Sequence, residues 1–500
     1  MPEQLDQSVN QRFSSRLGLL LSALGIAVGT GNIWRFPRIA AQAGGDQGAG
    51  AFLLAWLVFL FIWSIPLIIA EYALGRKFRS GAIGIFLKAV GRKLAWMGTF
   101  VAFVSTAISF FYAVIVGWCL YYFTYTLTHS LPDTIPDAMA VWNHYQESGW
   151  PFLFHSLAVV LGALAIWKGI RSIEKVNKVL IPVLLAIVLL SVGRAVTLPG
   201  SGEGIKYLFT PQWDQLRQPS TWLAALTQNA WDTGAGWGLF LTYAAYMQSR
   251  HGLVKNAFIT GIGNNTVSLL AAIMIFGTVF SVLQNEMGMS GTETLEVMRT
   301  SGPASTGLTF IWMPQLFARM TMGSPLAVLF FLGLTFAGFS SLISMFELST
   351  RVLLDTGMKR SQAIGIVVLV VYLMGLPSAR NLNFLSNQDF VWGIGLMISG
   401  AFIAFAIIRN KIPLISADIN SIKGDWKVGR AWSLSIRLGI PFLALALLIW
   451  WMFLSATVFA PEAWYNPFNP FSVMTCLSQF IVVLLVFILL NRKISGSMKV

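Results

Sequence analysis

Two glycine-rich runs interrupt long apolar stretches of this chain, Gly25-Ile26-Ala27-Val28-Gly29-Thr30-Gly31-Asn32 and Trp231-Asp232-Thr233-Gly234-Ala235-Gly236-Trp237-Gly238. In hydrocarbon each unpaired backbone group costs several kcal/mol, so such a break survives where its freed amides and carbonyls meet something polar. The chemistry on offer is ligation. Carbonyls, the Asn32 carboxamide and short hydroxyls are hard oxygen donors suited to a hard cation. Amides left open at the start of a half-helix suit an anion such as a carboxylate. Asp232 stands out further, because an ionisable group in mid-membrane costs at least ~2.5 kcal/mol and reads as functional by default. Each feature has a plainer alternative. The glycines could serve helix packing, and Asp232 could be a structural contact of Asn264 or Asn265.

Other chemistries find little support. Cys119 and Cys476 both sit in apolar stretches, and His129, His144, His155 and His251 have no ligand spacing, so neither a disulfide framework nor a metal cluster is indicated. No nucleotide loop, nucleophile constellation or redox motif occurs, so the chain does not read as an enzyme.

With 56% hydrophobic and 11% charged residues over 500 positions, the chain reads as an all-α integral membrane protein. Twelve apolar spans are expected near 16–43, 50–75, 94–128, 150–168, 175–198, 220–248, 254–284, 325–355, 361–377, 389–409, 432–457 and 470–491. The formal charge of +14 is explained by its distribution rather than by a nucleic-acid partner. Arg76, Lys77, Arg79, Lys88, Arg92 and Lys93 follow the second span with no acid among them. The segment after the third carries Asp133, Asp137 and Glu147. Basic loops follow every even-numbered span, which places both termini in the cytoplasm of a multi-pass protein of the inner or plasma membrane, in contact with lipid. Residues 292–300 and 309–320 predict short outer helices, and 410–431 an inner connector.

The two breaks fall in the first and sixth spans, corresponding positions of two five-span halves, and paired breaks of this kind point to a binding site at the bilayer midplane. Together with Ser15-Arg16-Leu17-Gly18, Glu71-Tyr72-Ala73-Leu74-Gly75-Arg76 and Ala337-Gly338-Phe339-Ser340-Ser341, they resemble the neurotransmitter:sodium symporter family, including its bacterial amino-acid members. The likeness runs from about residue 12 to about residue 410. It implies the LeuT fold: a cytoplasmic segment 1–15, a first five-helix repeat 16–198, an inverted second repeat 220–409, and a remainder 410–500 carrying two peripheral helices. It also implies a sodium-coupled symporter importing an amino acid or related small zwitterion by alternating access.

Site residues follow from the same resemblance. Substrate would meet Ala27, Gly29, Thr30, Gly31, Tyr112, Trp231, Gly234, Trp237, Ser341 and Met345, with Ile26 and Ile108 completing the side-chain pocket. Members that carry amines without a carboxylate have an aspartate where Gly29 stands, so Gly29 favours a substrate bringing its own carboxylate. Gly234 in place of a serine implies more room, unless Trp231 and Trp237 refill it. One sodium site would use Gly25, Val28, Ala337, Ser340 and Ser341. A second would use Ala27, Asn32, Asn264 and the position held by Asp232, normally a hydroxyl. With Gln228 and Ser268 beside it and Trp56 replacing the chloride-binding tyrosine, Asp232 could supply the charge that chloride supplies elsewhere. Arg35 with Asp389 would form an outer gate, and Arg12 with Asp355 an inner one, although the register at Arg12 is off and Phe13 replaces the usual tryptophan. A proton-coupled transporter using Asp232 and a transport-silent receptor remain as alternatives.

Overall fold

The computed structural model describes residues 11–300 and 306–499, and all regular structure among the described residues is helical. Nine helices there are long and apolar enough to cross a bilayer: Gly50–Phe78, Arg92–Thr128, Ile170–Val196, Val254–Glu286, Gly323–Leu354, Arg360–Arg380, Leu382–Arg409, Arg430–Phe459 and Val473–Ser497. They coincide with spans two, three, five, seven to ten, eleven and twelve. The other three spans differ in shape. Span one is the pair Arg16–Ala27 and Thr30–Ala43, bent by 47°. Span four is Trp150–Ile166, preceded at a 72° bend by the helix Ile135–Glu147. Span six is Pro219–Asp232 and Leu239–Ala244 with an irregular segment between them. Of the expected N-terminal segment 1–15, residues 1–10 lie outside the described residues.

Span three packs along span eight through the middle of the molecule and is 89% buried over its most apolar window, against 17% for spans eleven and twelve. The last two helices are therefore peripheral, and their exposed leucines and phenylalanines form a lipid-facing surface. Of the expected short helices, one occurs at Gly291–Arg299, begun by a capping box of Ser290 and Glu293, and one at Met313–Arg319. The connector is pinned to span seven by Asp425, whose carboxylate accepts from the amides of Leu253, Val254 and Lys255.

The two breaks are built differently. In span one only Val28 and Gly29 leave the helix, a narrower gap than the glycine run implied. The Val28 amide still reaches the Leu24 carbonyl at 2.7 Å, and the Asn32 side chain accepts from the Gly29 amide at 2.8 Å. In span six, Gly234, Gly236 and Gly238 take φ of +67°, +90° and +79°, a region open to glycine at little cost. Glu71 of span two, fully buried, holds this segment by accepting from the amides of Gly236 (2.7 Å) and Leu241 (3.1 Å). Ser105 of span three donates to the Trp237 carbonyl at 2.5 Å.

Candidate functional site

A cavity of about 570 Å³ lies against both breaks and runs past Leu385, Ser386, Val458 and Phe459. All ten residues expected to meet substrate line it: Ala27, Gly29, Thr30, Gly31, Tyr112, Trp231, Gly234, Trp237, Ser341 and Met345. Ile26 also lines it, whereas Ile108 is buried behind the wall and Phe111 and Ile115 face the cavity from span three.

At its floor the Tyr112 hydroxyl accepts from the amide and the hydroxyl of Thr30, both at 3.3 Å. A Cβ on Gly29 would stand 3.0 Å from the Ser341 hydroxyl and 3.1 Å from the Tyr112 hydroxyl. Gly29 itself has an extended backbone with φ −111°, which other residues adopt, so glycine is needed here for space and not for conformation. Of the amides expected to be open, those of Gly29 and Thr30 have partners, Asn32 and Tyr112.

The upper wall is aromatic. Trp231 and Trp237 meet edge-on with centroids 5.6 Å apart, and the Arg35 guanidinium lies 4.6 Å from the centre of the Trp231 ring. A Cβ on Gly393 of span ten would fall 2.4 Å from Trp231, so that glycine makes the room the indole occupies. The extra space expected at Gly234 is filled from across the break: a Cβ there would meet the Ile26 side chain at 2.8 Å.

Below the cavity, oxygen atoms converge in two places. The Ser340 hydroxyl lies 3.4 Å from the Val28 carbonyl and 2.9 Å from that of Ala337, and the Ser341 hydroxyl lies 3.4 Å from the Gly25 carbonyl. These five residues present neutral oxygens only, a donor set that fits a hard monovalent cation. In the second place, the Asn264 amide is within 3.2 Å of the carbonyls of Ala27 and Asp232 and 2.8 Å from the Asn32 amide nitrogen, which also donates to Ser268 at 2.7 Å. One carboxylate oxygen of Asp232 accepts from Ser268 at 3.4 Å, and the other is buried without a hydrogen-bond partner among the described residues. No group of three or more His, Cys, Asp or Glu placed to hold a metal occurs among the described residues.

The gate residues are arranged differently from expectation. Arg35 and Asp389 share the cavity wall, but Arg35 stacks on Trp231 and forms no ion pair with Asp389. At the opposite end Asp355 does not meet Arg12, which is exposed and forms no ion pair among the described residues. The Asp355 carboxylate is occupied instead by Arg351 at 3.3 Å and by the Gly81 amide at 2.6 Å. What the N-terminal segment contributes is Phe13, fully buried, whose amide donates to the Tyr246 carbonyl and whose carbonyl accepts from Gln248.

The chain matches the model of the sodium:neurotransmitter symporter family over residues 10–150 and 149–494. It belongs to that family. A sodium-dependent transporter of Methanocaldococcus jannaschii is 32% identical over 380 residues, 73% of this chain and 74% of the relative. The sodium-dependent serotonin transporter of Drosophila melanogaster is 29% identical over 483 residues, 85% of this chain and 74% of the relative. Among solved structures, MhsT in complex with L-phenylalanine superposes with a TM-score of 0.76 at 27% identity, covering 88% of this chain and 99% of that one. The protein is therefore a sodium-dependent, multi-pass membrane transporter with the LeuT fold, and its family and fold are those of secondary transporters rather than enzymes.

Proposed function

We propose that this symporter imports an amino acid or related small zwitterion across the inner or plasma membrane, with both termini cytoplasmic, coupled to sodium at two sites and without chloride. The observation that carries the substrate class is the missing side chain at Gly29, which leaves the Tyr112 and Ser341 hydroxyls uncovered at the cavity floor: a Cβ there would stand 3.1 and 3.0 Å from them. Two hydroxyls lining the cavity beside a half-helix N-terminus suit a carboxylate carried by the substrate. Ile26, Trp237 and Met345 offer its side chain an apolar wall. That a relative of the same fold binds L-phenylalanine supports the class.

Coupling follows from shared backbone. Gly25 and Val28 serve one cation cluster, Ala27 and Asn32 the other, and Gly29 to Gly31 the cavity floor, so every occupant bears on one eight-residue stretch of span one, Gly25 to Asn32. Ligands that each favour one arrangement of a shared segment reinforce one another's binding. The Asp232 carboxyl beside Ser268 places an acidic group of the protein at the second cluster, which supports chloride independence.

Uptake into proteoliposomes tests this reading. Amino acids with and without a sodium gradient, each in chloride and in gluconate, should give accumulation that needs sodium and tolerates chloride removal. Accumulation driven by a proton gradient alone would favour proton coupling through Asp232. Binding without accumulation of any of the twenty amino acids would favour a receptor.

A further inference from the structure

The inner end of span eight carries an arginine that the transport reading has not used. Arg351 and Asp355 sit one helical turn apart with side chains only 4% and 5% exposed. Pairs at this spacing are ordinarily exposed helix stabilisers. This one is buried, and both partners reach beyond their own helix. Asp355 accepts from the Gly81 amide at 2.6 Å, and Arg351 donates to the Arg79 carbonyl at 3.0 Å, both in the turn that ends span two. Arg79 holds a left-handed backbone, φ +52°, that a non-glycine residue keeps only where its surroundings require it. On its other side the Arg351 guanidinium lies 5.3 Å from the centre of the Tyr246 ring, at the end of span six. A single side chain therefore joins the inner ends of spans two, six and eight.

We propose that Arg351 is the cation of the inner gate, closing onto Asp355, Tyr246 and the Arg79 carbonyl from within span eight, with Arg12 taking no part. The proposal rests on the sodium-coupled transport reading. The geometry makes it specific. With the cavity open on the outer side, the inner end is sealed, and opening it requires the ends of spans two and six to part from span eight. Such a movement must break the contacts of Arg351, which alone among the span-eight side chains there reaches both the Arg79 carbonyl and the Tyr246 ring. Lysine has no planar fork to serve a carboxylate, a carbonyl and a ring at once, so the role belongs to arginine in particular.

Labelling at Ser22 provides the test. Ser22 is buried, its hydroxyl has no partner among the described residues, and it lies on the half-helix Arg16–Ala27 between Gly18 and Gly25, which pack closely on Glu174 and Asn177 of span five. Opening the inner side would expose it. In the full chain carrying Ser22→Cys, reaction with a membrane-impermeant thiol reagent from the inner side is compared in sodium chloride and potassium chloride, with the unmodified chain reporting any background from Cys119 and Cys476. The expected result is that Arg351→Gln raises the rate in sodium tenfold or more, Arg351→Lys raises it several-fold, and Arg12→Ala leaves it within twofold. A rate released by Arg12→Ala as fully as by Arg351→Gln would overturn the proposal. So would a parent-like rate in Arg351→Lys, which keeps the charge and tests the fork if Arg351→Gln does not fold. The labelling needs no substrate, so failure of sodium-driven uptake in the parent would count against the transport reading and not against the gate.

Discussion

Ser340 and Ser341 contribute little side-chain chemistry to the proposed sodium site, in which the backbone supplies most of the oxygens. Their hydroxyls lie 2.9 to 3.4 Å from carbonyls of two spans, Ala337 on their own and Val28 and Gly25 on span one. Replacing both with alanine removes two of five oxygens without touching the carbonyls, and should raise the sodium concentration for half-maximal uptake tenfold or more. That is about 1.4 kcal/mol for each factor of ten. Unchanged sodium dependence in a folded Ser340→Ala, Ser341→Ala variant would move the site elsewhere. Asp232 tests charge where the serines test coordination. Asp232→Asn keeps the shape and drops the charge, so its uptake should slow and its pH profile should change. Asp232→Ser should slow transport or create a chloride requirement. An Asn variant with parental rate and pH profile would leave Asp232 as a packing contact.

At the scale of elements, the two interruptions were legible because glycine clusters inside apolar runs have few other uses, and span two was legible as a helix. The link between them was not. Glu71 lies 165 residues from Gly236 in the chain, and nothing local to either marks the contact. The Glu71 carboxylate stands out in an apolar span, but its partners are backbone amides, which every residue carries. The break in span one was read as too wide for a similar reason: the Val28 amide and the Asn32 cap recover hydrogen bonds that composition alone counts as lost. Arg351 was missed because an arginine four residues before an aspartate reads as an ordinary helix pair. Glu71→Ala would leave the Gly236 and Leu241 amides buried without acceptors, at about 1–3 kcal/mol for each. The purified variant should melt at a clearly lower temperature and lose uptake; parental melting and uptake would show that the glycine-rich segment holds its shape without Glu71.

Across the whole molecule, the two ends of the transport path are in opposite conditions. The inner end is closed by buried contacts of Arg351, Asp355, Tyr246 and Phe13, while the outer end leaves a cavity in which Arg35 and Asp389 stand apart. An outer latch already joins the elements that would close it. The Arg299 guanidinium donates to the carbonyls of Ala41 and Gly45 and pairs with Asp46, each at 3.0 Å, and its own carbonyl accepts from Gln42. The glycine-rich stretch 43–50, which follows span one, is thereby tied to the helix Gly291–Arg299. With the latch holding that helix to span one, closure would carry Arg35 from the Trp231 ring towards Asp389. Arg35 would then contribute to the closed state more than to the open one. A residue that acts on closure should affect turnover more than affinity. Arg35→Ala should therefore lower the maximal rate of uptake at least tenfold while changing equilibrium substrate binding less than threefold. Equal losses in both would place Arg35 in the binding site, and parental uptake would reduce it to an arginine stacked on a tryptophan.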